Sequence, residues 1–239
     1  MILGGPSLRT TDLSPLDGRG TITMGVNNSW LMRRPNLWIG VDTPGRFSNL
    51  GWEDPSILKF LPLCHTRSAI RRWEGDKLVS AGKVAAEMPG TLFFRRNDDF
   101  DPKTYWTDTT LHWGTLKGKE DALGIPNSRS VMIGIFRLAH WLGFKRVNLV
   151  GADFRMPTDE ATSPYAWAEK KDAKGRRANN SLYRSLNRRF DSLVKGGMPI
   201  EVFNCTPSSG LLSFPHKPLK EAVAETEWEG DHRTEGWYT

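Results

Sequence analysis

The chain has 239 residues, 38% of them hydrophobic, a formal charge of +6 at pH 7 and a pI near 9.4. That length allows one large or two small domains with a substantial core, while no run approaches the roughly 18 apolar residues of a membrane span. Residues 1–8 lack the basic flank and apolar length of a signal peptide, and Cys64 and Cys205 stand far apart without metal-ligand spacing, which argues against a disulfide framework or a zinc site. A soluble, cytoplasmic protein is expected.

The first eight residues, MILGGPSL, read as a stub of apolar strand running into Gly4, Gly5, Pro6 and Ser7. Two glycines permit a tight turn and Pro6 suits the start of a helix, so the turn has the composition of an anion cradle. Residues 8–16 hold one short helix at most. Strands are predicted over 21–26 (TITMGV), ending in Asn27 and Asn28, and over 37–41 (LWIGV), ending in Asp42, Thr43 and Pro44. The apolar stretch 55–63 is compatible with helix or strand, and 91–94 (TLFF) reads as a strand.

Residues 98–126, rich in Thr, Gly, Asp and Trp and without a sustained period, are expected to form an irregular insertion or lid. The clearest helix follows over 128–142, capped by Asn127 or Ser128 and stopped by Gly143. A strand is predicted over 146–150, ending in Gly151, Ala152 and Asp153. Residues 155–178 are polar and read as a mobile excursion, with Tyr165 and Trp167 as their large rings. Helical spacing returns over 180–194, a last strand covers 199–203, and the tail from 225 is charged.

Five short apolar runs thus end in small polar residues, and helix-like segments separate several of them. This argues for a largely parallel sheet whose strand ends converge on one ligand crevice. Asn27, Asn28, Ser208 and Ser209 would supply neutral hydrogen bonds there, and Asp42 and Asp153 carboxylates. That chemistry suits a nucleotide, although no Walker loop is present.

MILGGPSL, TMGVNN, the unit SVMIGIFRLAHWLGFKRVNLVGADF and IEVFNCTPSSGLLSFP together resemble the bacterial lipooligosaccharide sialyltransferases and the related hydroxymethylpterin pyrophosphokinase (MptE-like) group. The resemblance implies a three-layer α/β/α fold with a mostly parallel, Rossmann-like sheet of modified GT-A type. In the sialyltransferases it also implies metal-independent binding of a nucleotide sugar. Gly4, Gly5, Ser7, Asn27, Asp42, Ser130, Asp153, Pro207 and Ser208 fall on that family's nucleotide-binding motifs, with Pro6, Asn28, Thr43, Gly151 and Ser209 beside them. The segment 178–186 (ANNSLYRSL) has no His where the sialyltransferases carry their general base, and Asp42 matches the MptE-like side, where an acidic residue would hold Mg²⁺.

The expected function is therefore transfer of a sugar from a nucleotide-sugar donor to a hydroxyl acceptor, a glycan or a nucleic-acid base. Asp153 or Asp42 would serve as base, and Tyr183 or Asn180 would place the acceptor. The alternatives are Mg-ATP-dependent pyrophosphoryl transfer and a non-catalytic nucleic-acid-binding protein. The Arg pairs 71–72, 95–96, 176–177 and 188–189 divide evenly between a solvated surface and phosphate binding. Trp52, Trp73, Trp106 and Trp113 are candidates to stack on a sugar or base, His112 is a candidate displaced base, and Asp99-Phe100-Asp101 spells a D-x-D in a polar loop.

Overall fold

A computed structural model describes residues 1–18, 20–74, 77–159, 161–167 and 171–225. Four parallel strands pair in the order β1 (Met24–Val26), β2 (Leu37–Ile39), β3 (Leu58–Pro62) and β6 (Thr91–Phe94). A second parallel pair joins β9 (Arg146–Leu149) to β10 (Glu201–Asn204). The opening residues link the two, because Ile2 bridges Gly25 on one side and Val150 on the other, both in parallel. Ile2 N–H donates to Met24 O at 2.7 Å, and Leu3 N–H to Val150 O at 2.9 Å. The chain's first strand is thus short yet central, and strand order reverses on either side of it.

Between β3 and β6 lies an antiparallel hairpin, β4 (Ala69–Glu74) and β5 (Lys77–Val84), that sequence patterning did not reveal. Two further short strands, β7 (Arg96–Asn97) and β8 (Leu111–His112), pair in parallel.

Period-two alternation sorts side chains to the two sheet faces. Leu37 and Ile39 join the largest core cluster with Val147, Leu149 and Val202, whereas Trp38 points the other way. The first face is covered by α1 (Val131–Trp141) and by α2 (Ala173–Lys195) through Leu186, Phe190 and Leu193. On the second face, Trp38 stacks on Trp30 at 4.5 Å and meets Trp52 and Phe47 edge-on, so four rings fill what a crossover helix would cover. Each such pair contributes roughly 0.5–1.5 kcal/mol beyond its buried area. The rest of that face is closed by Leu8, Val150 and the short α3 (Leu219–Ala224). The mixed α/β class holds, but helices are few: the β1–β2 and β2–β3 connections contain Pro35, Pro44 and Gly45 and make only 3₁₀ turns.

Helix α1 begins later than its sequence suggested: Ser130, not Asn127 or Ser128, caps it by accepting from Met132 N–H at 3.2 Å. Helix α2 begins earlier, where Asp172 accepts from Gly175 N–H at 2.7 Å. Its first two turns lack an apolar stripe, yet Arg176 is buried there and donates to the carbonyls of Pro157, Asp159, Thr162 and Lys171. Near the other end of α2, buried Arg189 donates to Asp121 at 2.6 Å and to Thr115 Oγ1 at 3.0 Å. The two polar excursions predicted over 155–178 and 98–126 are thereby clamped to one helix, and residues 173–178 of the first belong to that helix rather than to a mobile segment. The second also sends Phe100, Tyr105 and Ile125 into the interior. Of the tail, only Glu225 lies within the described residues.

His112 is buried against Phe100 and Tyr105, and its Nε2 lies 2.9 Å from Asp108 Oδ2. Burial raises the Asp108 carboxyl, but hydrogen bonds from Thr110 and Asn97 and the neighbouring His112 outweigh it and hold it at about 2. Burial holds the His112 imidazole below its ordinary value against the pull of Asp108. Both folded-state values are depressed, so both stabilise the fold above their ordinary range and lose that contribution as pH falls. Asp108→Asn is expected to flatten the acid limb of a melting-temperature profile between pH 3.8 and about 2, while leaving the limb below 6.5 that belongs to His112.

Candidate functional site

A cleft of about 250 Å³ opens at the carboxyl ends of the strands, where strand order reverses between the opening segment and β9. Open parallel sheets bind ligands at such a point. It is lined by Gly4, Gly5, Pro6, Asn27, Asn28, Asp42, Ser130, Gly151, Asp153 and Tyr183, so ten of the residues singled out from sequence come together. Among the described residues, three of the four non-glycine residues with positive φ lie at strand ends around it: Asn27 (51°) after β1, Phe154 (50°) after β9 and Ser208 (52°) after β10. A left-handed backbone costs a bulky residue such as Phe154 roughly 1–2 kcal/mol, and such strain concentrates at functional sites.

The turn at residues 4–7 corrects one expectation. Gly5 N–H donates to Gly151 O at 2.8 Å, Pro6 has no N–H, and Leu8 N–H donates to Gly5 O at 3.2 Å. Ser7 gives both its N–H (3.2 Å) and its hydroxyl (2.7 Å) to the Asp153 carboxylate. An internal carboxylate therefore takes the place of a bound phosphate, and the corner presents an acceptor of hydrogen bonds rather than an anion cradle. The positive groups in the lining are instead Arg46, Arg155 and the N-terminal end of α1 at Ser130.

One wall is aromatic. Phe154 stacks on Tyr183 at 4.8 Å, and Tyr165 on Trp167 at 5.2 Å with planes only 4° apart. The 164–167 segment lies across the opening turn: Ala166 N–H donates to Gly4 O at 3.0 Å, and Arg9 donates to the carbonyls of Tyr165 and Ala166. A Cβ on Gly4 would lie 2.4 Å from the tip of the Trp167 ring, so the glycine makes room for that wall. Burial first, then the charges of Tyr165 and Asp153, raise the Tyr183 phenol and keep it protonated. The opposite wall carries Asn27, whose amide has no hydrogen-bond partner among the described residues, and Asp42, paired with Arg46 at 3.1 Å.

Other sequence candidates take supporting roles. Asn180 holds the main chain of Met156 from both sides, at 2.8 and 3.3 Å. Ser209 donates to Ala152 O, and Ser208 O accepts from Arg155 at 2.8 Å, so the 207–210 loop braces the Asp153 turn from behind. Thr43 and Pro207 lie outside the lining. Trp52 is buried in the four-ring cluster, Trp113 lies under Arg96 (4.0 Å) and Arg129 (5.0 Å), and the Trp73 side chain is outside the described residues. Phe100 is buried, and Asp101 turns back to accept from Lys103 N–H at 2.9 Å, which makes the D-x-D a structural turn. The 98–126 segment lends nothing to the lining.

Sequence reasoning missed Arg46, Phe154, Arg155 and the Tyr165–Trp167 pair as cleft residues. No local signal marked the pair, because the ring that fills the space above Gly4 is brought there only by the fold. Among the described residues no group of three or more His, Cys, Asp or Glu gathers as a metal site, and no helix is long and apolar enough to cross a membrane. No protein-family model, curated protein or solved structure matches this chain.

Proposed function

We propose that this protein is a nucleotide-sugar-dependent glycosyltransferase on a three-layer, Rossmann-like frame of modified GT-A type. The observation that supports this most is the cleft at the reversal of strand order, with a carboxylate corner, an aromatic wall and flanking cations in one lining. The nucleoside lies between the aromatic wall and Asn27. Its phosphate is drawn to Arg46, Arg155 and the α1 terminus, and the sugar and acceptor hydroxyl reach the Asp153 corner. Asp153 accepts the acceptor's proton as the new C–O bond forms and the sugar–phosphate C–O bond breaks, the electron pair leaving on the nucleotide phosphate. Ser7 holds the carboxylate in place through its two hydrogen bonds.

The test is a thermal-shift screen of nucleotides and nucleotide sugars, with and without Mg²⁺, followed by turnover of whichever donor binds. Asp153→Asn keeps an oxygen for Ser7 but no base. It is expected to lower turnover by roughly 10²–10⁴-fold while changing donor affinity little. No shift with any nucleotide sugar would sink the reading, and Mg²⁺-dependent release of AMP from ATP would move the assignment to pyrophosphoryl transfer.

A further inference from the structure

Two of the four arginine pairs lie on α2, and the helix divides each. Arg176 and Arg189 turn inward as the clamps described above, while Arg177 and Arg188 face solvent. At 100° per residue, Lys174, Arg177, Arg184, Arg188 and Lys195 fall within an arc of about 80°, opposite the buried stripe of Leu182, Leu186, Phe190 and Leu193. All five are exposed, and none forms an ion pair among the described residues. Asp191, the single acidic residue within the helix, lies about 20° beyond the edge of that arc and leaves the row with a net excess of four positive charges. From Lys174 to Lys195 the row runs for about 32 Å at 1.5 Å per residue.

Lys195 suits the negative C-terminal end of the helix, but the rest of the row does not serve the helix itself. Arg184 and Arg188 stand one turn apart with like charge, an arrangement that opposes helix formation. A straight line of cations spaced by one or two turns instead complements a regular line of anions. We propose that the exposed face of α2 docks the phosphate backbone of a nucleic acid. An anionic membrane fits less well, because the apolar stripe that would enter lipid is already buried in the core and only the charged face is free. The inference stands apart from the proposed sugar transfer. If both hold, the bound strand runs along the helix whose other side, through Asn179 and Tyr183, lines the cleft.

The test is fluorescence anisotropy of the full chain with a labelled duplex of about 20 bp and its single strand, across 50 to 200 mM salt and without any nucleotide sugar. Affinity is expected to fall steeply with salt. Arg184→Glu with Arg188→Glu should weaken binding at least about tenfold and reduce the log–log salt slope by about two. Arg177→Glu with Lys195→Glu, a second pair far from the first, should do the same, and melting temperatures report that both variants are folded. Absence of binding by the wild type at the lowest salt, or unchanged affinity in both folded variants, overturns the proposal. Equally tight binding to heparin or to anionic vesicles overturns the nucleic-acid assignment. Donor binding in the cleft is scored separately, so either idea can fail alone.

Discussion

Gly5→Ala is expected to destabilise the protein by about 3 kcal/mol or more and to close the cleft corner, read as a lower urea midpoint with an unchanged slope. The backbone is not the reason: Gly5 has φ −69° and ψ 152°, an extended conformation open to any residue. Space is the reason. A Cβ there would lie 1.7 Å from Asp153 Oδ2 and 2.6 Å from Gly151 O. Asp153 can swing aside only by giving up both hydrogen bonds to Ser7, each worth about 1 kcal/mol or somewhat more for a charged acceptor. Gly151 O cannot swing aside, because it accepts from Gly5 N–H in the ladder that joins the opening segment to β9. Adding Asp153→Gly should therefore recover only part of the loss. Gly4→Ala is the control. Its Cβ meets the tip of a side chain, Trp167, so the cost should be smaller and the main effect a displaced aromatic wall.

The contrast between these glycines shows what sequence could and could not carry. Strand cores were legible because alternating apolar runs bounded by polar residues have one stable reading: 91–94 matched its strand, and the runs at 21–26, 37–41 and 146–150 each contained one. Convergence of their ends followed from parallel pairing. What Gly4 and Gly5 would meet was not legible, since Asp153 and Trp167 lie about 150 residues away and reach the turn only through the fold. For the same reason the Ser7–Asp153 contact was hidden, and a turn with the composition of a phosphate cradle proved to hold a carboxylate. Arginine pairs misled in a different way. Their residue type suggests surface, yet at 100° per residue adjacent positions on a helix face different directions, so Arg176 and Arg189 became interior clamps.

Arg189→Met is expected to cost about 3–5 kcal/mol, and the companion change at Asp121 decides why. Both side chains are fully excluded from solvent and lie 2.6 Å apart. The guanidinium also donates to Thr115 Oγ1 and Ile125 O and lies over the Phe100 ring. Asp121 uses its other oxygen, Oδ1, to accept from Leu123 and Ile125 N–H at 3.0 and 2.9 Å. Removing Arg189 alone leaves an ionised carboxylate buried without its counter-charge. If that desolvated charge is the main cost, Arg189→Met with Asp121→Asn should return most of the stability, because Asn keeps the Oδ1 contacts while Met fills the apolar space. If the lost hydrogen bonds to Thr115 and Ile125 dominate instead, the double variant should be as unstable as the single. Limited proteolysis gives a second readout. The single variant should be cut faster within 98–126, since Arg189 ties that segment to α2, whereas the cleft, to which the segment lends no side chain, should keep its shape.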